Sequence, residues 1–232
     1  KLKSDFVANV SHELRTPLQS IKLGLETINN GHAADDAESQ KKILPLVLQQ
    51  TTRMENIVND LLSLSRIELQ EHIRPNDKID INEIISHSVD LHQEILKKNN
   101  IICNIDKKTK DPIINGDRNR LIEVFNNLID NAIKYSEKNK KITITTRSDD
   151  KNLTAIVKDE GIGISRKNIP QITERFFRAN PAKSKEVGGT GLGLAIVKHI
   201  VNQHRAEMNI SSEENKGTTI SINFPKSWLI QP

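Results

Sequence analysis

Along the first seventy positions, Val7, Ser11, Leu14, Leu18, Ile21, Leu25 and Ile28 alternate intervals of four and three. That spacing is an a/d heptad seam and predicts a long helix. Gly31 and the polar stretch His32 to Ser39 predict its end. A second helix carries Ile43, Val47, Met54, Ile57, Leu61 and Leu64 on one seam, with a second stripe, Leu44, Leu48, Val58 and Leu62, beside it. A lone hairpin offers each helix one partner, so a stripe of double width stays partly exposed. Two hairpins packed as a four-helix bundle bury it, which predicts a homodimer. The alternative is that the second stripe packs on the other half of the same chain. Pro17 interrupts the first helix, and a proline there removes a backbone donor and kinks it.

From Ile79 onward the period changes. Lys141 to Arg147, Leu153 to Lys158 and Thr218 to Phe224 read as strands rich in Ile and Thr. Helical stretches lie near Asn82 to Lys98, Asp117 to Tyr135 and Leu192 to His204, and Asp117 stands as an N-cap after Gly116. This alternation predicts an α/β sandwich, with helices on one face of a mixed sheet. The segment His72 to Lys78, containing Pro75, reads as a hinge. The expected division is residues 1–72, a hinge at 73–78, and residues 79–232.

Composition narrows the function classes. Aromatic residues are 3% of 232, with Tyr135 and Trp228 the sole members of their types, which argues against stacking platforms for single-stranded nucleic acid. A net charge of +4 from scattered basic residues gives no DNA-binding face. Cys103 is alone, excluding an intramolecular disulfide and a cysteine zinc site, and its apolar run predicts a small core residue. No run approaches the roughly 18 apolar residues of a membrane span, and no signal peptide precedes the first helix. The charged periodic opening, Lys1 to Phe6, reads as a cut from something longer.

Three constellations could carry chemistry. With Ser11 at an a position, His12 falls at b and faces outward, followed by Glu13, with Thr16 one turn on. A neutral exposed imidazole is a competent nucleophile, and an adjacent carboxylate can take the proton it loses. The other histidines, His32, His72, His87, His92, His199 and His204, lack such company. Asn127 and Asn131 share one helix face with Lys134 nearby; amide oxygens suit a hard Mg²⁺ that also binds phosphate. Two glycine clusters, Asp159-Glu160-Gly161-Ile162-Gly163 and Gly188-Gly189-Thr190-Gly191-Leu192-Gly193, permit tight turns and backbone contact with an anion. Neither is a P-loop or a dinucleotide fingerprint. Between them, Arg175 and Arg178 flank Phe176-Phe177, and Ala179 to Gly188 reads as a lid.

Taken together, these residues resemble the cytoplasmic transmitter core of bacterial two-component sensor histidine kinases over nearly the whole chain. Ser11 to Leu18 looks like the H box, Asn127 to Tyr135 the N box, Asp159 to Gly163 the G1 box, Phe176-Phe177 the F box and Gly189 to Gly193 the G2 box. The resemblance implies a dimerisation and histidine-phosphotransfer hairpin followed by an ATP-binding domain of the gyrase, Hsp90 and MutL type. It makes His12 the phosphoacceptor, Glu13 its general base, and Thr16 the residue that positions a dephosphorylating water. It makes Asn131 the Mg²⁺ ligand, with Asn127 nearby. Lys134 is expected to meet phosphate and Tyr135 to line the pocket, while Asp159 accepts the adenine amino group. Gly161, Gly163, Ile164, Arg175, Phe177 and Arg178 complete the implied ATP site, with Gly189, Thr190, Gly191, Leu192 and Gly193 around lid and phosphates.

The implied cofactors are ATP and Mg²⁺. The implied partners are a response regulator receiver domain and a second copy of the chain, without nucleic acid. Membrane contact is expected only through sensory and transmembrane parts outside this chain, making it the cytoplasmic portion of an inner-membrane sensor. Asn56 to Glu68 and Lys183 to Arg205 look most like phosphate-regulon sensors. Glu160 departs from many relatives, and its side chain is expected to face solvent. Two rivals remain. A stand-alone ATPase of the same fold has no use for an outward histidine on a coiled-coil helix. A non-catalytic dimeric ATP-binding scaffold sits poorly with the full polar set, whereas a phosphatase-biased core stays open, because the residues serve both activities.

Overall fold

The computed structural model describes residues 2–30, 36–70 and 72–226, so Gly31, His32 and Trp228 lie outside the described residues. The hairpin consists of α1, Leu2–Asn30, and α2, Ala37–Leu69. Asp36 opens α2 by accepting the Glu38 N–H at 3.0 Å, satisfying one orphan donor of the first turn. The helices approach closely at Gly24, where a Cβ would stand 2.6 Å from a Val47 methyl.

The seam expected on α1 is split. Leu14, Ile21 and Ile28 are half-buried, while Val7, Leu18 and Leu25 are exposed. On α2, Ile57 and Leu64 are buried, whereas Leu44, Leu48, Val58 and Leu62 are 41 to 67% exposed. The second stripe therefore does not pack on the other half of the same chain. Helix α1 runs through Pro17 without a break in its assignment, and α2 likewise contains Pro45, which the apolar pattern does not flag.

The second half begins with β1, Asp77–Asp80, so the expected hinge ends inside a strand. There follow α3, Ile81–Leu91, α4, Gln93–Lys98, β2, Ile102–Lys107, and β3, Ile113–Gly116. Next come α5, Arg118–Lys134, β4, Lys141–Ser148, and β5, Asn152–Asp159. A short α6, Pro181–Glu186, precedes α7, Gly193–Gln203, β6, Glu207–Glu213, and β7, Gly217–Pro225. The main sheet has the order β2-β4-β5-β7-β6, parallel only between β2 and β4, while β1 and β3 form an antiparallel ribbon.

Alternation explains the sandwich. Ile142 and Ile144, Leu153, Ala155 and Val157, and Ile220, Ile222 and Phe224 are buried on alternate strand positions and share one core with Ile85, Phe125, Ile129 and Ile196 of the helices. The single helix expected over Asn82 to Lys98 is divided at His92, which ends α3 and precedes α4. Strands β1 and β3 span four residues each, too short to show alternation; β2 and β6 are edge strands with polar positions. Cys103, expected in the core, is partly exposed against it, and burial pushes its thiol up to about 11.

His204 ties the helices together. Its Nδ1 donates to the Ile200 carbonyl at 2.8 Å, and its Nε2 accepts the Asp117 N–H at 3.0 Å. Burial holds this ring below the ordinary histidine range and so keeps it neutral, as an acceptor at Nε2 requires.

Candidate functional site

A cavity of about 410 Å³ opens between α5, the loop after β5, the lid and the N-terminus of α7. Asn127, Asn131, Lys134 and Tyr135 enter it from the last turns of α5. Asn127, Asn131 and Lys134 stand four and three residues apart, while Leu121, Val124, Phe125 and Ile129 of the same helix are buried in the core.

Asp159 closes the inner end. Its Oδ1 accepts the N–H groups of Gly161 at 2.8 Å and Thr218 at 3.1 Å, and no described hydrogen bond reaches Oδ2. Burial nonetheless raises its pKa, against the lowering effect of those two bonds. An aspartate pinned through one oxygen presents the other as an acceptor to a ligand N–H. Gly161 lies behind it: a Cβ would come within 2.4 Å of the Tyr135 carbonyl oxygen. Glu160 is exposed as expected, and its Oε2 accepts the Lys141 N–H.

The other end suits phosphate. Helix α7 has no side chain capping its N-terminus, and its first residue, Gly193, lines the cavity, where uncapped N–H groups and the positive end of the helix dipole suit an anion. Gly191, at φ +76°, brings its backbone against Phe176, whose N–H donates to the Gly191 carbonyl at 2.8 Å. Lys134 pairs with Asp130 at 2.7 Å inside the cavity.

The donor set fits Mg²⁺. Asn127 donates through Nδ2 to the Glu123 carbonyl at 2.9 Å, leaving its Oδ1 as a lone-pair donor beside Gly193. No described hydrogen bond occupies the Asn131 side chain. Neutral amide oxygens with a nearby carboxylate match a hard cation that keeps waters and binds phosphate oxygens.

Of the residues expected around ATP, the cavity gathers Asn127, Asn131, Lys134, Tyr135, Asp159, Gly163, Ile164, Phe177, Arg178, Gly189, Thr190, Gly191 and Gly193. It does not gather Gly161, Arg175 or Leu192. Leu192 is fully buried, and Arg175 instead pairs with Glu68 of α2 and lies 5.1 Å from the centroid of the Phe6 ring.

The hairpin supplies residues that the pattern reading missed. Asn56, Asn59 and Asp60 of α2 line the cavity, and Asp60 accepts the Thr190 hydroxyl at 2.6 Å. Burial raises the Asp60 pKa. On a helix read as amphipathic, such polar positions pass for a solvated face.

His12 and Thr16 are exposed on α1, with the Thr16 hydroxyl donating to the His12 carbonyl at 3.2 Å. Glu13 points elsewhere. Its Oε2 takes Arg178 at 2.7 Å and Arg53 of α2 at 3.4 Å, with Arg53 and Arg178 nearly buried. Arg178 also donates to the Thr190 carbonyl, so one guanidinium links Glu13 to the glycine loop.

The family model of the His Kinase A (phospho-acceptor) domain matches residues 2–70, and that of the histidine kinase-, DNA gyrase B- and HSP90-like ATPase matches residues 116–227. The chain belongs to the two-component sensor histidine kinases. It is 37% identical over 225 residues to the sensor protein kinase WalK of Staphylococcus aureus, covering 96% of this chain and 54% of that protein. It thus spans about half the length of that curated relative. Among solved structures, the histidine kinase AdeS of Acinetobacter baumannii superposes with a TM-score of 0.72 at 26% identity, covering 92% of this kinase chain and 97% of that one. Histidine kinase ThkA, solved in complex with response regulator protein TrrA, superposes at 0.73 with 23% identity over 98% of this chain and 63% of that one, a likeness of fold.

Proposed function

We propose that this chain is a kinase core that moves the γ-phosphoryl group of ATP to a ring nitrogen of His12, then to an aspartate of a response regulator receiver domain. The observation that carries this reading is the pairing, in one chain, of an exposed His12 with a cavity whose ends suit adenine and phosphate. In this reading residues 1–72 are the dimerisation and phosphotransfer domain, 73–78 the hinge, and 79–232 the ATP-binding domain.

Asp159 accepts the adenine amino group through Oδ2, and the first N–H groups of α7 together with Lys134 hold the phosphates. Asn131, with Asn127, would hold Mg²⁺, which when bound neutralises charge on the transferring group. The His12 lone pair forms the N–P bond as the bond to the bridging oxygen breaks and ADP leaves. The ring N–H proton passes to Glu13. Arg178 and Arg53 engage Glu13 in the docked arrangement, so Arg178 must withdraw before Glu13 serves as base. The ATP-binding half must therefore shift on the hairpin for transfer.

The exposed stripe on α2 supports a homodimer through a four-helix bundle. No described helix is long and apolar enough to cross a membrane, which suits a cytoplasmic core. The sensing and anchoring parts belong, in this reading, to the remaining length that the WalK relative has beyond the match. The likeness to phosphate-regulon sensors finds no support in the WalK relatives, so the reading names no signal.

The test is a chase. Chain labelled with γ-³²P-ATP and Mg²⁺ is freed of nucleotide and mixed with an isolated receiver domain. Label moving to the receiver supports the reading; a chain that hydrolyses ATP yet never carries label contradicts it. Thr16→Ala is expected to slow receiver dephosphorylation about tenfold while autophosphorylation stays within about twofold. Equal loss of both would make Thr16 structural.

A further inference from the structure

Ser184 sits in the middle of the lid and has no role in the account above. Among the described side chains of α6 it alone is buried, at 1% exposure. Its hydroxyl lies 2.8 Å from the Tyr135 hydroxyl, and its carbonyl accepts the Gly189 N–H at 2.8 Å. The lid is thus tied at its centre to the end of α5 and, one residue pair later, to the glycine loop that faces phosphate.

Both anchors are firm. The Tyr135 N–H donates to Asn131 at 3.0 Å, and the Tyr135 carbonyl accepts Ile162 at 3.0 Å, so the residue is fixed between α5 and the loop after β5. On the lid side, the Asn180 Oδ1 accepts the Lys183 N–H at 3.0 Å and caps α6. Gly188 follows at φ +71°, with no atom within 4 Å of where a Cβ would lie, and serves as a pivot in open space. A Cβ on Gly189 would come 3.3 Å from the Tyr135 hydroxyl, so the bond sits in a tight corner.

The chemistry of the pair matters. Two hydroxyls carry two protons, and their mutual bond uses one. The other remains available to an acceptor on the bound molecule, because both residues line the cavity.

We propose that Ser184 is a positioning residue: through the Tyr135 hydroxyl it fastens the lid over the nucleotide, setting how tightly ATP is held and how fast ADP leaves. It does not take part in the transfer step. This rests on the reading of the cavity as an ATP site, but the bond itself can be tested without nucleotide.

The experiment uses the full chain with Ser184→Ala, Tyr135→Phe and the double variant. Each single change is expected to weaken ATP about fivefold, the equivalent of one typical net hydrogen bond, and Ser184→Ala is expected to leave kcat within about twofold. If the hydroxyls act as one unit, the double variant loses about fivefold as well, not about twenty-five-fold. Trypsin cleavage after Lys183, in the absence of nucleotide, is expected to quicken about fivefold in all three variants. Multiplying losses, or lid cleavage indifferent to both changes, would overturn the latch. Wild-type chain that bound no ATP while its lid cleavage still responded to both variants would overturn the nucleotide reading and leave the latch standing.

Discussion

The two halves of this kinase are finished to different degrees. The α/β half closes its core, in which Leu64 and Ile67 of α2 join Phe125, Ile142, Leu153 and Ile196, all buried, and several of its polar residues line one cavity. The hairpin does not. Leu48 is 67% exposed and Leu62 51%, on a helix whose opposite face is buried. A leucine moved from water into a core contributes roughly 1.5–3 kcal/mol, so the stripe is a reserve of association energy. In the division of tasks proposed above, the α/β domain holds the nucleotide, and a helical pair completed by a second copy presents His12. The seam between them is mixed: Leu64 and Ile67 of α2 enter the α/β core, with Phe6 and Leu61 packed against it, while Glu13 meets Arg178, Asp60 meets Thr190, Glu68 meets Arg175, and the Phe6 and Phe176 rings stand 6.0 Å apart. The charged and hydrogen-bonded contacts of this seam can be exchanged for others as the domains move, whereas its apolar part must be uncovered and covered again.

The division can be broken first at its chemistry. His12→Gln is expected to remove all covalent label while ATP affinity stays unchanged, since His12 is exposed and makes no contact with the cavity. A fall in ATP binding would show that the halves are not separable. Asp159→Asn is expected to do the reverse, weakening ATP about thirtyfold or more by losing a charge-assisted bond to the base. Its thermal midpoint should hold or rise, because burial raises the Asp159 pKa and the charged form costs stability at neutral pH.

Leu48→Glu with Leu62→Glu tests the unfinished face. Sedimentation is expected to show monomers at concentrations where the parent is a dimer, with helical content and ATP affinity retained. Loss of the α/β half's stability in that variant would mean that the stripe serves the protomer. The smallest effect concerns His204. Burial lowers its pKa in the folded chain, so the unfolded chain binds the proton first as pH falls. Its contribution is full above about 6.5 and is lost as pH falls through that value toward the folded pKa. The drop in thermal midpoint between about pH 6.5 and 5.5 should shrink in His204→Gln.

Much of this was legible in the chain. The helices Asp117 to Tyr135 and Leu192 to His204 declare themselves by apolar period and, for the first, by the Asp117 cap, whose carboxylate accepts the Asn119 N–H at 2.9 Å. Asn127, Lys134 and Asp159 follow once those helices and β5 are placed, because motif spacing fixes which turn each occupies. What was not legible depends on contacts distant in sequence. Arg175 is expected in the ATP site beside Arg178, yet Glu68, more than a hundred positions earlier, claims it. Asp60 joins the cavity for the same reason: only the docking of α2 on the glycine loop brings it there. The exposed half of the α1 seam is a further case, since the second copy proposed to cover it lies outside the single chain.

The measurement that decides the central claim is the stability of the label. The chain is incubated with γ-³²P-ATP and Mg²⁺, and the labelled protein is treated separately with acid and with alkali. Phosphohistidine at His12 requires label that acid removes and alkali spares. Label that survives acid, as phosphoserine or phosphothreonine would, contradicts the account.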